Sequence, residues 1–473
     1  MPGFLRRRIA PLTIVAASAS LLMTALAAGL DGVSLSAGSF TVAITDQRAY
    51  SEPAPVLSLA QWRQFMAGRS VFQRQWASIV SLDGDWGLGP TFVADRCVAC
   101  HINSGRGHPP DNADQQPLSM LVRLSIPGLD AHGGPRPHPD YGEQIQNRSL
   151  DGSTVDLAHG GTPVPREADV YIDWQEQEVV LPDGTAVQLR QPQLRIENPA
   201  FGPLDGVMTS LRVAQPLVGI GFLDAVPEET IRSLAQAQQA LGFNGRPNHV
   251  WDAVNQRSAL GRYGWKANVP GLRQQIAAAA IADMGVNTNL YPEQNCPPVQ
   301  TVCQQMLPGN FPELVDVEID SLTLWMQALA VPARRGMSGA QVQLGEQMFE
   351  RARCSVCHVP ELVTAASFPQ LPQLANQTFH AYTDLLLHDM GEGLADGRPD
   401  FQAGPRDWRT PPLWGLGLSH AVTGRSTLLH DGRARSVTEA ILWHGGEAAV
   451  SRDAFSRMTK RERDALVSFV EAI

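Results

Sequence analysis

The sequence lacks a basic excess: 37 Lys and Arg stand against 47 Asp and Glu, a net charge of −10. That argues against nucleic acid, which favours basic surfaces; an acidic surface suits a basic protein partner instead. Charge is scarce altogether, 18% against 43% hydrophobic residues, so the chain reads as globular and not disordered. After the N-terminal stretch no apolar run is long enough to span a bilayer. Cysteine is rare, six in 473 residues, and its absence from that first stretch excludes a lipoprotein anchor there. Glycine and proline are plentiful, 42 and 35 residues, and imply long, turn-rich connections. The length suits two or three domains.

The N-terminus has the features of a targeting signal. "FLRRR" supplies a positive segment, "IAPLTIVAASASLLMTALAA" is apolar, and Ala25-Leu26-Ala27 fits a small-residue cleavage site. The competing reading is an uncleaved anchor, because the run approaches spanning length. Its small residues favour cleavage, so residues 1–27 are read as a signal peptide. The mature chain is expected to be periplasmic, with no stable membrane span.

Four of the six cysteines fall in two nearly identical hexapeptides, "RCVACH" at Arg96–His101 and "RCSVCH" at Arg353–His358. Zinc knuckles use CxxC pairs but need no histidine directly after each. A thioredoxin-like pair belongs near a βαβ pattern, which the sequence does not offer. C-x-x-C-H is the attachment motif of c-type haem. Two thiols three apart span the porphyrin edge and add to its vinyl groups, and the next residue supplies an axial nitrogen. Cys97, Cys100, Cys354 and Cys357 thus carry two covalent haems, with His101 and His358 as proximal ligands. Cys296 and Cys303 remain; an oxidising compartment favours a structural disulfide over a redox-active pair.

Each motif follows a helix-like run: "LAQWRQFMAGRSVFQRQW", ending at Trp76, and "VQLGEQMFERARCSVCH", with Val342, Leu344, Met348 and Phe349 at amphipathic spacing. "SRDAFSRMTKRERDALVSFVEAI" closes the chain with capping residues and a stripe through Leu466, Phe469 and Val470. A repeat joins the halves. "AQPLVGIGF" (Ala214–Phe222) and "TPPLWGLGL" (Thr410–Leu418) share a Pro-Leu-x-Gly-x-Gly frame, and "KANVPGLRQQIAAAA" parallels "RARSVTEAILWHG". The frame's Pro216 lies 115 residues after His101, but Pro412 only 54 after His358, so the first half carries about 60 extra residues. "VYIDWQEQEVVLPDGTAVQLRQPQLRI" fits there, a β-hairpin turning at Pro182-Asp183-Gly184. "VPARRGMSG", Val331–Gly339, reads as the linker between halves. The expected fold is mostly α: two cytochrome c-like haem domains from a duplication, at 28–335 and 336–473, with the hairpin-containing insertion at about 110–210.

The stretches "LGRYGWKANVPGLRQQ", "YTDLLLHDMGEGLAD", "DWRTPPLWGLGL" and "LHDGRARSVTEAILWHGGEA" resemble the di-haem cytochrome c peroxidase and MauG superfamily. Within it they are most similar to the di-haem oxidoreductases often labelled thiol oxidoreductases, from about Trp62 onward. The resemblance implies one haem for peroxide chemistry and one for electron transfer. It also allows Ca2+ between the domains, although no acidic loop of the sequence marks such a site.

For the second haem the distal candidates are His444, His388, Met390 and His430. In the superfamily this ligand follows a "HDGR" stretch and lies four residues after an alanine, which here leads from Ala440 to His444. Relatives usually carry methionine or tyrosine; histidine gives a low-spin, closed iron of lower potential than His/Met. Carrying the repeat to the first haem puts Ala279 opposite His444. Alanine cannot ligate, so this iron is expected to stay open, unless His108, His132, His138 or His249 closes it. Gln275 matches a distal-pocket glutamine of the family. Asp283 is the nearest acid, slightly off the register of the relatives' glutamate, and the resemblance implies an acid/base role there. Trp265 resembles the aromatic region between haems; its other reading is packing against porphyrin. Arg433 and Arg435 suit haem propionates.

The expectation is a periplasmic di-haem c-type oxidoreductase of peroxidase type. Hydrogen peroxide or another small oxidant would be reduced at the N-terminal haem, with electrons from a redox protein entering through the C-terminal one. Two other classes stay open: a pure electron-transfer cytochrome with both irons six-coordinate, and a protein- or thiol-modifying oxidase. The latter needs Cys296 and Cys303 reduced and exposed, or a partner substrate.

Overall fold

The computed structural model describes residues 32–78, 86–150, 163–306, 309 and 311–473. The expected signal peptide at 1–27 lies outside these residues, as does part of the expected insertion. Helices form where the apolar spacing is helical. Leu59–Gln73 starts at a Ser58/Gln61 capping box, Ala340–Arg351 precedes the second CxxCH, and Lys460–Ala472 starts at a Thr459/Glu462 box. Between them come Glu228–Ala240, Leu272–Met284 and Asp316–Gln327.

The mostly-α expectation does not hold. Helix accounts for 32% of the chain and strand for 20%, in several small sheets. Two causes stand out. Asp169–Val180 and Ala186–Glu197 form a long antiparallel hairpin through twelve paired positions, and Met120–Leu129 pairs with Met208–Val213 in a separate sheet. Elsewhere the glycine- and proline-rich connections make two-residue ladders with distant partners. Thr41–Val42, for example, pairs with Val331–Pro332. Such pairings lack a local period, because the partner that creates them is remote in sequence. The same pairing buries most of the Val331–Gly339 stretch, which is packed chain and not a free linker: Ala333 N–H donates to Val42 and Arg334 N–H to Ser34.

Local geometry repeats around the two motifs. Gly68 in the helix before the first motif lies against the Ser321 carbonyl and Trp325 of helix Asp316–Gln327. Gly345 in the helix before the second lies in the same way against Ala465 and Phe469 of the closing helix. A side chain on either glycine would collide with the partner backbone. One turn on, Phe72 packs 4.3 Å from Trp325 and Phe349 packs 5.3 Å from Phe469. Both phenylalanines then stand 6.3 Å from the histidine of their motif. The Pro-Leu-x-Gly-x-Gly frames repeat as well. Gly219 and Gly415 are left-handed, φ 68° and 69°, and each opens a helical turn. The next glycines, Gly221 and Gly417, meet the ends of the two partner helices at Gln327 and Glu471. The two frames face one another, Gly219 against the Trp414 ring, inside an aromatic cluster with Phe40, Phe222 and Phe379.

The hairpin reaches the C-terminal part of the chain. Arg463 donates to Asp183 at its turn (2.6 Å), Arg435 donates to the Gln188 carbonyl (2.7 Å), and Arg190 donates to the Arg433 carbonyl (3.1 Å). The helix crossings should be the least forgiving contacts. Gly68→Ala and Gly345→Ala are each expected to cost about 1–3 kcal/mol by overpacking. Denaturant unfolding of the haem-loaded chain checks this, and unchanged midpoints would show that the crossings tolerate a methyl group.

Candidate functional site

The first motif lies at the bottom of a cavity of about 570 Å³, within the usual range for ligand sites of roughly 300–1,000 Å³. Cys97–Cys100 forms one helical turn, and His101 follows it. The His101 Nδ1–H donates to the Gln215 carbonyl at 2.8 Å, just before the Pro216-Leu217 frame. Desolvation pushes its pKa down to about 4, so the ring is neutral and Nε2 keeps its lone pair.

The second motif repeats the arrangement in a tighter cavity of about 180 Å³. The His358 Nδ1–H donates to the Tyr382 carbonyl at 2.9 Å, and desolvation again holds the ring near pKa 4. Cys97, Cys100, Cys354 and Cys357 are in no disulfide, and all four line their cavities. Cys296 and Cys303 are instead joined in a disulfide.

The far walls differ. His444 lines the second cavity, its Nδ1–H donating to Ala440 at 2.7 Å and its pKa lowered by desolvation. It thus has the same preparation as the two motif histidines. His388 also lines that cavity but has both nitrogens committed, Nε2 to Asp384 at 2.8 Å and Nδ1 to Glu447 at 3.1 Å. Burial alone would lower its pKa; Asp384 and Glu447 reverse this and hold it well above the ordinary value. A charged imidazole has no lone pair to give. His430 is stacked on Trp408 at 3.7 Å, and Met390 lines the wall.

In the first cavity Ala279 stands where the repeat places His444 in the second, and Leu272 and Ile276 match Val437 and Ile441 in lining. Of the alternative histidines, His132 alone reaches this cavity among the described residues. It is exposed and stacked on Trp251 at 4.2 Å. His108, His138 and His249 do not line it.

The three expected catalytic residues all border the first cavity. Gln275, Ala279 and Asp283 share one face of helix Leu272–Met284 at four-residue intervals, so Gln275 and Asp283 flank Ala279, about 6 Å away on each side along the axis. Desolvation raises Asp283 to about 6, and its Oδ1 accepts from Gln144 at 3.0 Å. It is also close enough to raise the Cys97 and Cys100 thiols further. Trp265 is buried and lines both cavities; its Nε1–H donates to Val213 at 2.8 Å, and the Arg106 guanidinium lies 4.9 Å over its ring.

The propionate expectation for Arg433 and Arg435 is not met. Arg433 is spent on Asp431 and Gly393, Arg435 on Glu439, Glu176 and Gln188, and neither lines a cavity. Among the described residues no carboxylate cluster of three marks a Ca2+ site. Among the described residues the one grouping of three metal-capable side chains is Cys357, Asp384 and His388, not the all-oxygen set that calcium takes.

The donor chemistry fits haem. Neutral histidines with Nδ1–H fixed on a carbonyl are the standard preparation of a metal-binding imidazole, and each stands beside a thiol pair. The family described as "Di-haem oxidoreductase, putative peroxidase" matches residues 32–473. The chain belongs to the di-haem oxidoreductase family. No curated protein and no solved structure matches it significantly.

Sequence reading missed the carbonyls of Gln215 and Tyr382, which carry no side-chain signature, and the arginines of the inserted strands, which reach the first cavity only through sheet pairing. Two substitutions separate the distal candidates. His444→Ala is expected to convert the second haem from low to high spin, whereas His388→Gln leaves it low-spin. EPR of the ferric protein reads both, and the opposite pattern would make His388 the ligand.

Proposed function

We propose that the protein is a periplasmic di-haem c-type oxidoreductase that reduces peroxide in the first cavity with electrons entering at the second. The observation that carries this reading is the unequal far walls: an alanine faces the first cavity where a prepared histidine faces the second. Cys97 and Cys100 would hold one haem and Cys354 and Cys357 the other, with His101, His358 and His444 as iron ligands. When bound, the haems would supply electron transfer and cleavage of the O–O bond.

The chain's own residues do the rest. A peroxide against Ala279 has the Gln275 amide one turn to one side and the Asp283 carboxyl one turn to the other. Gln275 has its side-chain amide free to orient the substrate by hydrogen bonding. Asp283, titrating at about 6, can take and return a proton near neutral pH. Trp265 forms a fixed indole wall that lines both cavities and offers an aromatic link between them. A redox protein is the electron donor, and the acidic surface suits a basic one. The leader features support export, and the Cys296–Cys303 disulfide agrees with an oxidising compartment. With that pair oxidised, the thiol-modifying alternative loses its cysteines.

EPR of the ferric protein before and after peroxide tests the reading. One high-spin and one low-spin haem, with the high-spin signal consumed, are expected; two low-spin haems indifferent to peroxide would sink it. The pH profile gives a second test. Asp283 is a carboxylate above about pH 6 and an acid below it, so turnover should rise through that pH. Asp283→Asn is expected to remove the inflection and to lower turnover roughly 10²-fold or more.

A further inference from the structure

Between the cavities lies a buried charge cluster with more cations than carboxylates. Arg212, Arg398 and Lys266 face Asp396 and Asp400, and all five side chains are less than one-tenth exposed. Lys266, one of two lysines in the chain, is fully provided for. Its ammonium donates to Asp396 Oδ1 (2.8 Å) and to the carbonyls of Arg398 (2.8 Å), Gly404 (2.9 Å) and Pro405 (3.2 Å).

The guanidiniums are not so provided. Arg212 Nη1 and Arg398 Nη1 both donate to Asp400 Oδ2, at 2.8 and 3.2 Å. Arg212 Nη2 is left 3.8 Å from Asp396 Oδ2, beyond hydrogen-bonding distance. Arg398 Nε and Nη2 have no partner, and neither does Arg123 Nε. Arg123 otherwise pairs with Glu143 at 2.6 Å. Its charge is felt inside the cluster. Burial would raise Asp400, yet Arg212, Arg398 and Arg123 pull it down to about 2. Buried N–H groups without an acceptor are rare and costly, and an excess buried cation is costlier still.

The cluster opens on the first cavity. Arg123, Arg212 and Asp400 line it. In the strand pair Met120–Leu129 and Met208–Val213, Leu121 stands opposite Arg212 and Arg123 opposite Ser210. Arg123 and Arg212 are therefore diagonal neighbours on one face of the sheet. A guanidinium pair with unspent donors is matched by a carboxylate. We infer that Arg123 and Arg212 bind a carboxylate inside the first cavity, and that it is a propionate of the haem attached at Cys97 and Cys100, with Arg398 adding charge from behind. This rests on haem attachment at that motif. It gives the inserted strands a part in the cavity that the attachment motif alone does not assign.

The test uses the haem-loaded full chain carrying Arg212→Gln or Arg123→Gln. Mass spectrometry and a haemochrome assay first count the haems. An unsubstituted chain with no haem on Cys97 and Cys100 overturns the attachment reading itself, and this inference with it. With two haems present, one haem is expected to shift to lower midpoint potential, since a lost cation disfavours the reduced state. The propionate-bending bands of one haem should move in resonance Raman spectra, while the other haem keeps its potential. Arg212→Lys, which keeps charge but not the fork, should retain the potential and still move the band. Arg123 is at the rim, its side chain 20% exposed, so Arg123→Gln carries the test if Arg212→Gln does not accumulate. Unchanged potentials and bands in the glutamine variants overturn the inference. A saturable spectral response to added acetate, lost in the variants while the Raman bands stay fixed, overturns it too and assigns the site to a free carboxylate.

Discussion

A histidine can give iron its lone pair only if the ring is neutral and turned the right way, and one hydrogen bond secures both conditions. His101, His358 and His444 each spend Nδ1–H on a main-chain carbonyl, from Gln215, Tyr382 and Ala440. A carbonyl accepts but cannot ionise, so it fixes the tautomer without adding charge. His388 shows the contrast. Its partners are carboxylates, and they make it a cation fit for holding Cys357's surroundings together and unfit as a ligand. Around these bonds the two halves repeat the same supports: helix crossings at Gly68 and Gly345, left-handed turns at Gly219 and Gly415, and a phenylalanine beside each motif histidine.

How far this was legible in the sequence depends on distance along the chain. The attachment motifs are contiguous, and so are the helices before them; spacing alone exposes both. The Pro-Leu-x-Gly-x-Gly repeat was also readable, and the parallel stretches downstream of it, aligned at Leu272 and Val437, made Ala279 and His444 counterparts. The strands were harder. The Asp169–Glu197 hairpin could be read because both arms adjoin its turn, but pairings such as Thr41–Val42 with Val331–Pro332 depend on residues almost 300 apart. That is why a mixed fold looked helical. The same limit hid the Arg123 and Arg212 pair. Conversely, Arg433 and Arg435 looked free in sequence, but nearby carboxylates had already claimed them.

The two cavities differ in their walls. In the first, an alanine-rich helix face contributes Gln275, Ala279 and Asp283. In the second, His444 follows helix Val437–Leu442 and lines the cavity. Trp265 belongs to both walls, and Lys266 of the charge cluster follows it directly in the chain.

The hairpin has a mechanical meaning as well. Each arm runs for 12 residues, about 40 Å of ribbon at the usual rise. Its base is held by Gln116 and Asn198 on Asp169, its turn by Arg463 and its edge by Arg435. A ribbon anchored at both ends acts as a tie rod, which resists relative movement of the segments fastened to its two ends.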